Sequence, residues 1–253
     1  MTYWEALAVL LAGVGAGTIN TVVGSGTLIT FPVLLALGLP PVTANVSNTL
    51  GLVPGSISGV IGYRRELAGQ RRRLLRLGTA SLIGGLTGAY LLTKLPSKAF
   101  DAIVPALILC ALVLVVIQPR VSRAMAARRG TGGGTAEGGL LLFAGVLLAG
   151  VYGGYFGAAQ GVLLLALMGM LLQDDMQRIN ATKNVLALIV NGVAAVFFLF
   201  VAEIDWTAVL LIAAGSVVGG QIGARVGRRL PPPVLRSVIV VVGLAAVTRL
   251  LLA

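Results

Sequence analysis

"NTVVGSGT", residues 20–27, sets an amide, hydroxyls and two glycines inside a 253-residue chain that is 57% hydrophobic and 11% charged. It reads like a loop where its surroundings read like membrane, and a second polar cluster, "ANVSN" at 44–48, follows after a short apolar run. Mean hydropathy is +0.99, whereas soluble domains carry about 25% charged residues. Apolar stretches of about 20 residues separate the charges, the length a helix needs to cross roughly 30 Å of hydrocarbon. The alternating ten-residue pattern of a membrane barrel is absent from the sequence. The expected fold class is an all-α polytopic membrane protein.

Ten apolar segments are expected, at about 4–23, 27–38, 42–63, 77–94, 98–118, 139–157, 161–172, 179–201, 206–226 and 232–252. The second and seventh reach only about 17 Å as helices, so they read as half-helices or parts of broken, re-entrant helices. Residues 118–139, "QPRVSRAMAARRGTGGGTAEGG", read as a linker between two halves. The expected organisation is therefore a first transmembrane repeat over 1–118, a cytoplasmic linker over 119–138 and a second repeat over 139–253. "SLIGGLTGAYLLTKLP" (81–96) matches "SVVGGQIGARVGRRLP" (216–231) at Ser, the paired glycines, Gly-Ala and Leu-Pro. Looser matches place Gly13, Gly17 and Gly24 opposite Gly150, Gly154 and Gly161, and Asn48 opposite Asn184.

Charge orients the halves. A net charge of +11 would suggest nucleic acid in a soluble protein, but here the arginines lie between apolar segments, so no nucleic-acid partner is expected and the bilayer is. The stretch "RRELAGQRRRLLR" (64–76) is rich in arginine, which retains it in the cytoplasm, while its counterpart "AEIDW" (202–206) is acidic. Equivalent loops on opposite sides imply inverted repeats, each with an odd number of segments. Counting outward places Arg120, Arg123, Arg128, Arg129, Arg225, Arg228 and Arg229 inside and both termini outside. The first segment has no basic leader and no cleavage site, so it reads as a retained helix. Cys110 lies in an apolar run and reads as a buried hydrophobe.

Paired, interrupted, Gly-rich segments in inverted repeats point to a transporter's binding site. Gly24 and Gly26 let the chain break, and a half-helix starting near Thr27 offers free N–H donors that attract anions. In the second half "YFGAAQGV" (155–162) corresponds, with Gly157, Gln160 and Gly161 in the matching parts. Asn45 and Asn48 share one helix face, as do Asn180 and Asn184; Ser47 and Thr49 flank the first pair and Lys183 joins the second. Lys183 reads either as a functional charge, costing roughly 3 kcal/mol to insert, or as an amine snorkelling past Asp174, Asp175 and Arg178 to water. The Asn and Ser groups read as a shared cavity or as helix-helix glue.

The chain has no histidine and one cysteine, and no carboxylate pair lies in a segment middle, so neither a metal nor a cofactor is expected and enzyme chemistry is not. "GSG" lacks the preceding strand and the following Lys-Ser/Thr of a nucleotide loop. Ser25 would have no base if it were a nucleophile. The residues alone leave three readings open: an anion transporter, a permease for a different small solute, and a channel-like membrane subunit.

Residues 17–67, "GTINTVVGSGTLITFPVLLALGLPPVTANVSNTLGLVPGSISGVIGYRREL", together with 150–192, resemble the TauE/SafE-type sulfite exporter family of prokaryotic anion permeases. That resemblance implies a secondary transporter in the cytoplasmic membrane that moves sulfite, an organosulfonate or a related oxyanion by alternating access, with a proton as the candidate coupling ion. The matching positions Asn20, Gly24, Ser25, Gly26, Asn48, Gln160, Asn180, Lys183 and Asn184 would surround the substrate, with Thr27, Gly157 and Gly161 beside them. Some members of the family use membrane cysteines for thiosulfate; Cys110 lies outside both motifs, which favours an oxyanion held by N–H, amide and hydroxyl donors. Glu5, Asp101, Glu203 and Asp205 read as interfacial, so a coupled proton would ride on the substrate or on Lys183.

Overall fold

The computed structural model describes residues 1–128 and 138–226, with positions 240, 241, 244 and 248. Nearly all of the expected segment 232–252 lies outside the described residues, as do Arg129, Arg228 and Arg229. The described residues form helices and no strands: α1 (Tyr3–Val22), α2 (Thr27–Ala36), α3 (Pro41–Gly62), α4 (Arg71–Lys94), α5 (Ser97–Arg128), α6 (Gly139–Tyr155), α7 (Gln160–Leu171), α8 (Met176–Val201) and α9 (Trp206–Val226). Local chemistry sets several starts. Thr2 and Glu5 cap α1 reciprocally, Pro41 opens α3 where its missing N–H costs nothing, and the Asp175 carboxylate accepts the Gln177 N–H before α8 at 2.8 Å.

Two helices outrun their apolar segments. α4 begins at Arg71 instead of 77, and α5 continues to Arg128, into the expected linker. Arginine and alanine are strong helix formers, so the helical backbone persists after the lipid-facing composition ends. Among the described residues, three helices are long and apolar enough to span a bilayer: Tyr3–Val22, Met176–Val201 and Trp206–Arg225. Their outward faces carry exposed leucines, valines and phenylalanines, with Phe200 82% and Leu210 66% exposed, a surface suited to lipid. This is a multi-pass membrane protein.

The helices of the two halves interleave. Gly215 lies against Leu10–Val14 and Gly219 against Val14–Thr18, so α1 and α9 run parallel. Gly84 lies against Leu147–Val151 and Gly88 against Val151–Tyr155, so α4 and α6 run parallel in the same manner. α9 also packs on α3, and α4 on α8. Each of these contacts has a counterpart with the halves exchanged.

α2 and α7 are short helices folded back from breaks at the centre of the bundle. Ile29 of α2 reaches Gly15 of α1, and Thr27 and Thr30 of α2 meet Asn48 in the middle of α3. Phe31 of α2 packs edge-on against Phe156, at the second break, with ring centroids 5.2 Å apart. Phe100 of α5 joins the cluster from 6.2 Å. These aromatic contacts fix the two breaks against each other.

One face of the molecule gathers the arginines. Arg76 donates to the Gly139 carbonyl at the start of α6. Arg73 donates to Asp174 at 2.6 Å and Arg178 donates to the same carboxylate at 2.9 Å. Burial works to raise the Asp174 carboxyl, but the Arg73 hydrogen bond, the Asp175 N–H and the two guanidinium charges outweigh it and hold the group below its ordinary range. Buried Gln70 completes the tie, donating to the carbonyls of Glu66 and Arg178 and accepting from Thr182 at 2.8 Å.

Candidate functional site

α1 ends at Val22, leaving its last carbonyls without helical partners, which is the negative end of its dipole. Lys183 of α8 fills that end. Its Nζ donates to the Asn20 carbonyl at 2.8 Å and to the Thr21 carbonyl at 3.2 Å, and the residue is fully buried. Asn180 and Asn184 donate to the same Thr21 carbonyl at 3.2 and 3.3 Å. Snorkelling to water is therefore not the fate of Lys183. No carboxylate among the described residues bonds to it, and an ammonium has three donors, so one N–H remains beyond the two carbonyls.

Both breaks leave backbone donors open. Gly24 adopts φ +90 and Gly157 φ +77, a region that favours glycine. Each N–H bonds five residues back, Gly24 to Ile19 at 3.0 Å and Gly157 to Tyr152 at 3.2 Å. α2 starts three residues after Gly24 and α7 three residues after Gly157. Neither helix start has a side-chain cap. The N–H groups of Ser25, Gly26, Thr27, Ala158 and Ala159 meet no acceptor among the described residues. The breaks touch: the Gly161 N–H donates to the Gly24 carbonyl at 3.0 Å. A Cβ on either glycine would run into the backbone of the other, and one on Gly161 would also stand 3.0 Å from Cδ of Lys183.

Several buried side-chain atoms around the breaks have no partner among the described residues. They are Ser25 Oγ, Gln160 Nε2, Asn45 Oδ1, Asn180 Oδ1 and the Tyr155 hydroxyl. Unpaired buried polar atoms each cost about 1–3 kcal/mol, which makes this region the candidate place for a polar ligand. Gly153 makes room for Gln160, since a Cβ there would strike its amide.

Other residues singled out in the sequence are already committed. Asn48 donates to Thr27 Oγ1 at 3.2 Å and accepts from Thr30 Oγ1, so both ends of its amide are used. Asn20 makes a long contact of 3.5 Å from Nδ2 to Ser56 Oγ. Ser47 accepts from the Asp205 N–H at 2.9 Å, away from the break, and Thr49 bonds within its own helix. Cys110 is exposed, contrary to the buried hydrophobe expected; it sits on an outward face of α5.

The contacts also register the halves differently from the looser sequence matches. By turn geometry Gly24 corresponds to Gly157, and not to Gly161. Asn45 donates to the Tyr155 carbonyl at the end of α6 and Asn180 to the Thr21 carbonyl near the end of α1, so these two asparagines correspond. On that register Asn48 stands opposite Lys183 rather than Asn184. Glycine matches drift because small residues recur throughout packed membrane helices. Thr21 and Thr30 escaped the sequence reading. The orphaned carbonyls of a helix ending inside the membrane were the available signal for Thr21.

A model of the family described as "Sulfite exporter TauE/SafE" matches residues 9–250. The chain is similar to "Probable membrane transporter protein ORF9" of Sinorhizobium sp, 27% identical over 238 residues that cover 93% of this chain and 88% of that protein. It is also similar to "Probable membrane transporter protein YfcA" of Escherichia coli strain K12, 26% identical over 237 residues and covering 93% and 86%. A "Probable membrane transporter protein" of Haemophilus influenzae is 26% identical over 241 residues, 94% of this chain and 91% of its own length. Each of these relatives is named as a probable membrane transporter. No solved structure matches. The family match over nearly the whole length, on a multi-pass helical bundle with two central helix breaks, makes the chain a member of the sulfite exporter TauE/SafE family of membrane transporters.

Proposed function

We propose that the chain is a secondary transporter for a small oxyanion, built from two inverted repeats that meet at the paired helix breaks and work by alternating access. Lys183 carries the reading: a fully buried amine that, among the described residues, bonds only to two carbonyls of α1, beside two uncapped helix starts. An anion at this point would take the remaining ammonium N–H, the freed backbone N–H groups and the donors of Ser25 and Gln160. A cation would meet mostly donors and one positive charge. The family's name favours a sulfur oxyanion such as sulfite.

Support for the inverted repeat comes from the exchanged contacts, α1 on α9 against α6 on α4, and from the opposite charge of the corresponding loops at 64–76 and 202–206. The repeats proposed are 1–118 and 139–253, joined by 119–138. Asn48, with its amide fully engaged, frames the first break and does not bind the ion directly. Asn20 and Thr21 act through their carbonyls as the seat for Lys183, and Asn180 and Asn184 hold that seat. Because no carboxylate among the described residues bonds to Lys183, a coupled proton would travel on the substrate or on Lys183 itself.

Purified protein in liposomes tests this directly. Saturable uptake and counterflow of radiolabelled sulfite, with no flux across a panel of inorganic cations, is the expected outcome. Cation flux without sulfite flux would refute the anion reading, and sulfite flux that never saturates would identify a pore.

A further inference from the structure

The arginines on the crowded face divide into two groups. Arg73 and Arg178 are consumed in binding Asp174, and Arg76 in binding the Gly139 carbonyl. Arg64, Arg65 and Arg225 are different: all are exposed, and their side chains bond to no group among the described residues. These three line a cavity of about 400 Å³ between the ends of α3 and α9, with Glu66 as its one carboxylate. Three guanidinium groups facing one carboxylate leave the cavity with an excess of fork-shaped donors, which suit an oxyanion better than a point charge does.

The floor of the cavity is a fitted joint. Gly62 lies against Ala224 with no room for a Cβ between them. Gln221, in the wall, donates to the carbonyl and hydroxyl of Ser58, each at 2.9 Å. One turn further along α3, Gly59 packs on the side chain of Thr21. The Thr21 carbonyl accepts from Lys183, Asn180 and Asn184. From Gly62 to Ser56, which Asn20 approaches, the helix advances only about 9 Å. Less than two turns of α3 therefore separate the floor of the arginine-lined cavity from the Lys183 seat.

We propose that this cavity is a second oxyanion site, an antechamber on the arginine side in which Arg64, Arg65 and Arg225 hold a sulfate-like or phosphate-like group before it reaches the central breaks. Two sources share that chemistry, a free oxyanion and the headgroup of an anionic lipid. The site stands on its own residues, independent of whether Lys183 binds the transported ion.

Full-length protein in nanodiscs of neutral phosphatidylcholine, titrated with sodium sulfate by calorimetry, reads the free-ion source. Native mass spectrometry after exposure to phosphatidylglycerol reads the lipid source. Both measurements are made on the parent, on the triple variant Arg64→Gln/Arg65→Gln/Arg225→Gln and on Lys183→Met. The expected result is sulfate binding at least about tenfold weaker in the triple variant, and unchanged in Lys183→Met at this site. If sulfate does not bind but the triple variant retains fewer phosphatidylglycerol molecules than the parent, the same site belongs to a lipid headgroup. Equal sulfate binding and equal lipid retention in parent and triple variant would overturn the proposal. The three side chains are exposed, so an unchanged melting transition shows that the variant is folded, and an Arg→Lys triple that binds only partly separates the guanidinium fork from bare charge.

Discussion

The two helix breaks are built alike and equipped differently. Both turn on a glycine with positive φ and both start a short helix without a cap. On the α3 side of the first break stands Asn48, with both ends of its amide bonded to α2. The position corresponding to it on α8 is Lys183, which bonds only backbone carbonyls and brings a charge. The two breaks thus differ in the side chain set beside them. At this pair of positions one side chain closes on the neighbouring short helix, while the other brings a charge to the end of α1. Had both halves carried asparagine, the centre would attract an anion through amide dipoles alone; had both carried lysine, two buried charges would repel at short range.

The largest effect should come from forcing the breaks apart. Gly24→Ala adds a Cβ at φ +90 and drives it into Gly161, so a stability loss of about 3 kcal/mol or more is expected from overpacking and backbone strain together. A melting transition in detergent like that of the parent would show that the breaks do not need this contact.

Asn48→Leu comes next. It strands the Thr27 hydroxyl, leaves Thr30 its long bond to the Gly26 carbonyl at 3.5 Å and should cost about 1–3 kcal/mol, while the protein that remains folded keeps its parental KM for sulfite. Parental stability with a lost KM would instead make the first break a direct ligand and erase the contrast between the halves.

Opposite behaviour is expected of the open donors. Gln160→Leu and Ser25→Ala remove groups that have no protein partner, so stability holds or rises while apparent affinity in uptake assays falls about tenfold, or about 1.4 kcal/mol. Lower stability at unchanged affinity would place these side chains in the frame.

The smallest effect belongs to Asp174, outside the spanning segments. Its folded-state carboxyl is held low by its arginines, so its contribution is complete above the ordinary aspartate range and disappears as pH falls through the lower folded value. Asp174→Asn should lose less than about 1 kcal/mol at neutral pH, and melting curves should show a weaker dependence on acid than those of the parent.

Most of the helix inventory was legible in sequence because lipid imposes length and polarity on every segment that meets it. The breaks at 24 and 157 announced themselves through glycine, and the shortness of segments 27–38 and 161–172 followed from the same hydropathy. Where α4 begins and α5 ends was not legible, since arginine satisfies both a helix and a loop. Side-chain partners were less legible still. Nothing in "ANVSN" distinguishes Ser47, which accepts the Asp205 N–H across the bundle, from Asn48, which closes on α2, because each partner is set by how distant helices approach. The seat of Lys183 is made of backbone carbonyls, which carry no residue signature. The arginine-lined cavity was hidden for a related reason: Arg64 and Arg65 read the same as Arg73 and Arg76 until Asp174 and Gly139 are seen to claim the latter pair.

Lys183→Met tests the central claim most directly, with sulfite-dependent thermal protection and sulfite flux measured on the same preparations. Removing a buried charge without a carboxylate partner should leave the unliganded protein as stable as the parent or more so, abolish protection by sulfite and reduce flux at least about a hundredfold, or about 2.7 kcal/mol. A variant that melts like the parent, is still protected by sulfite and still transports it would contradict the assignment of Lys183 as the anion's charge partner.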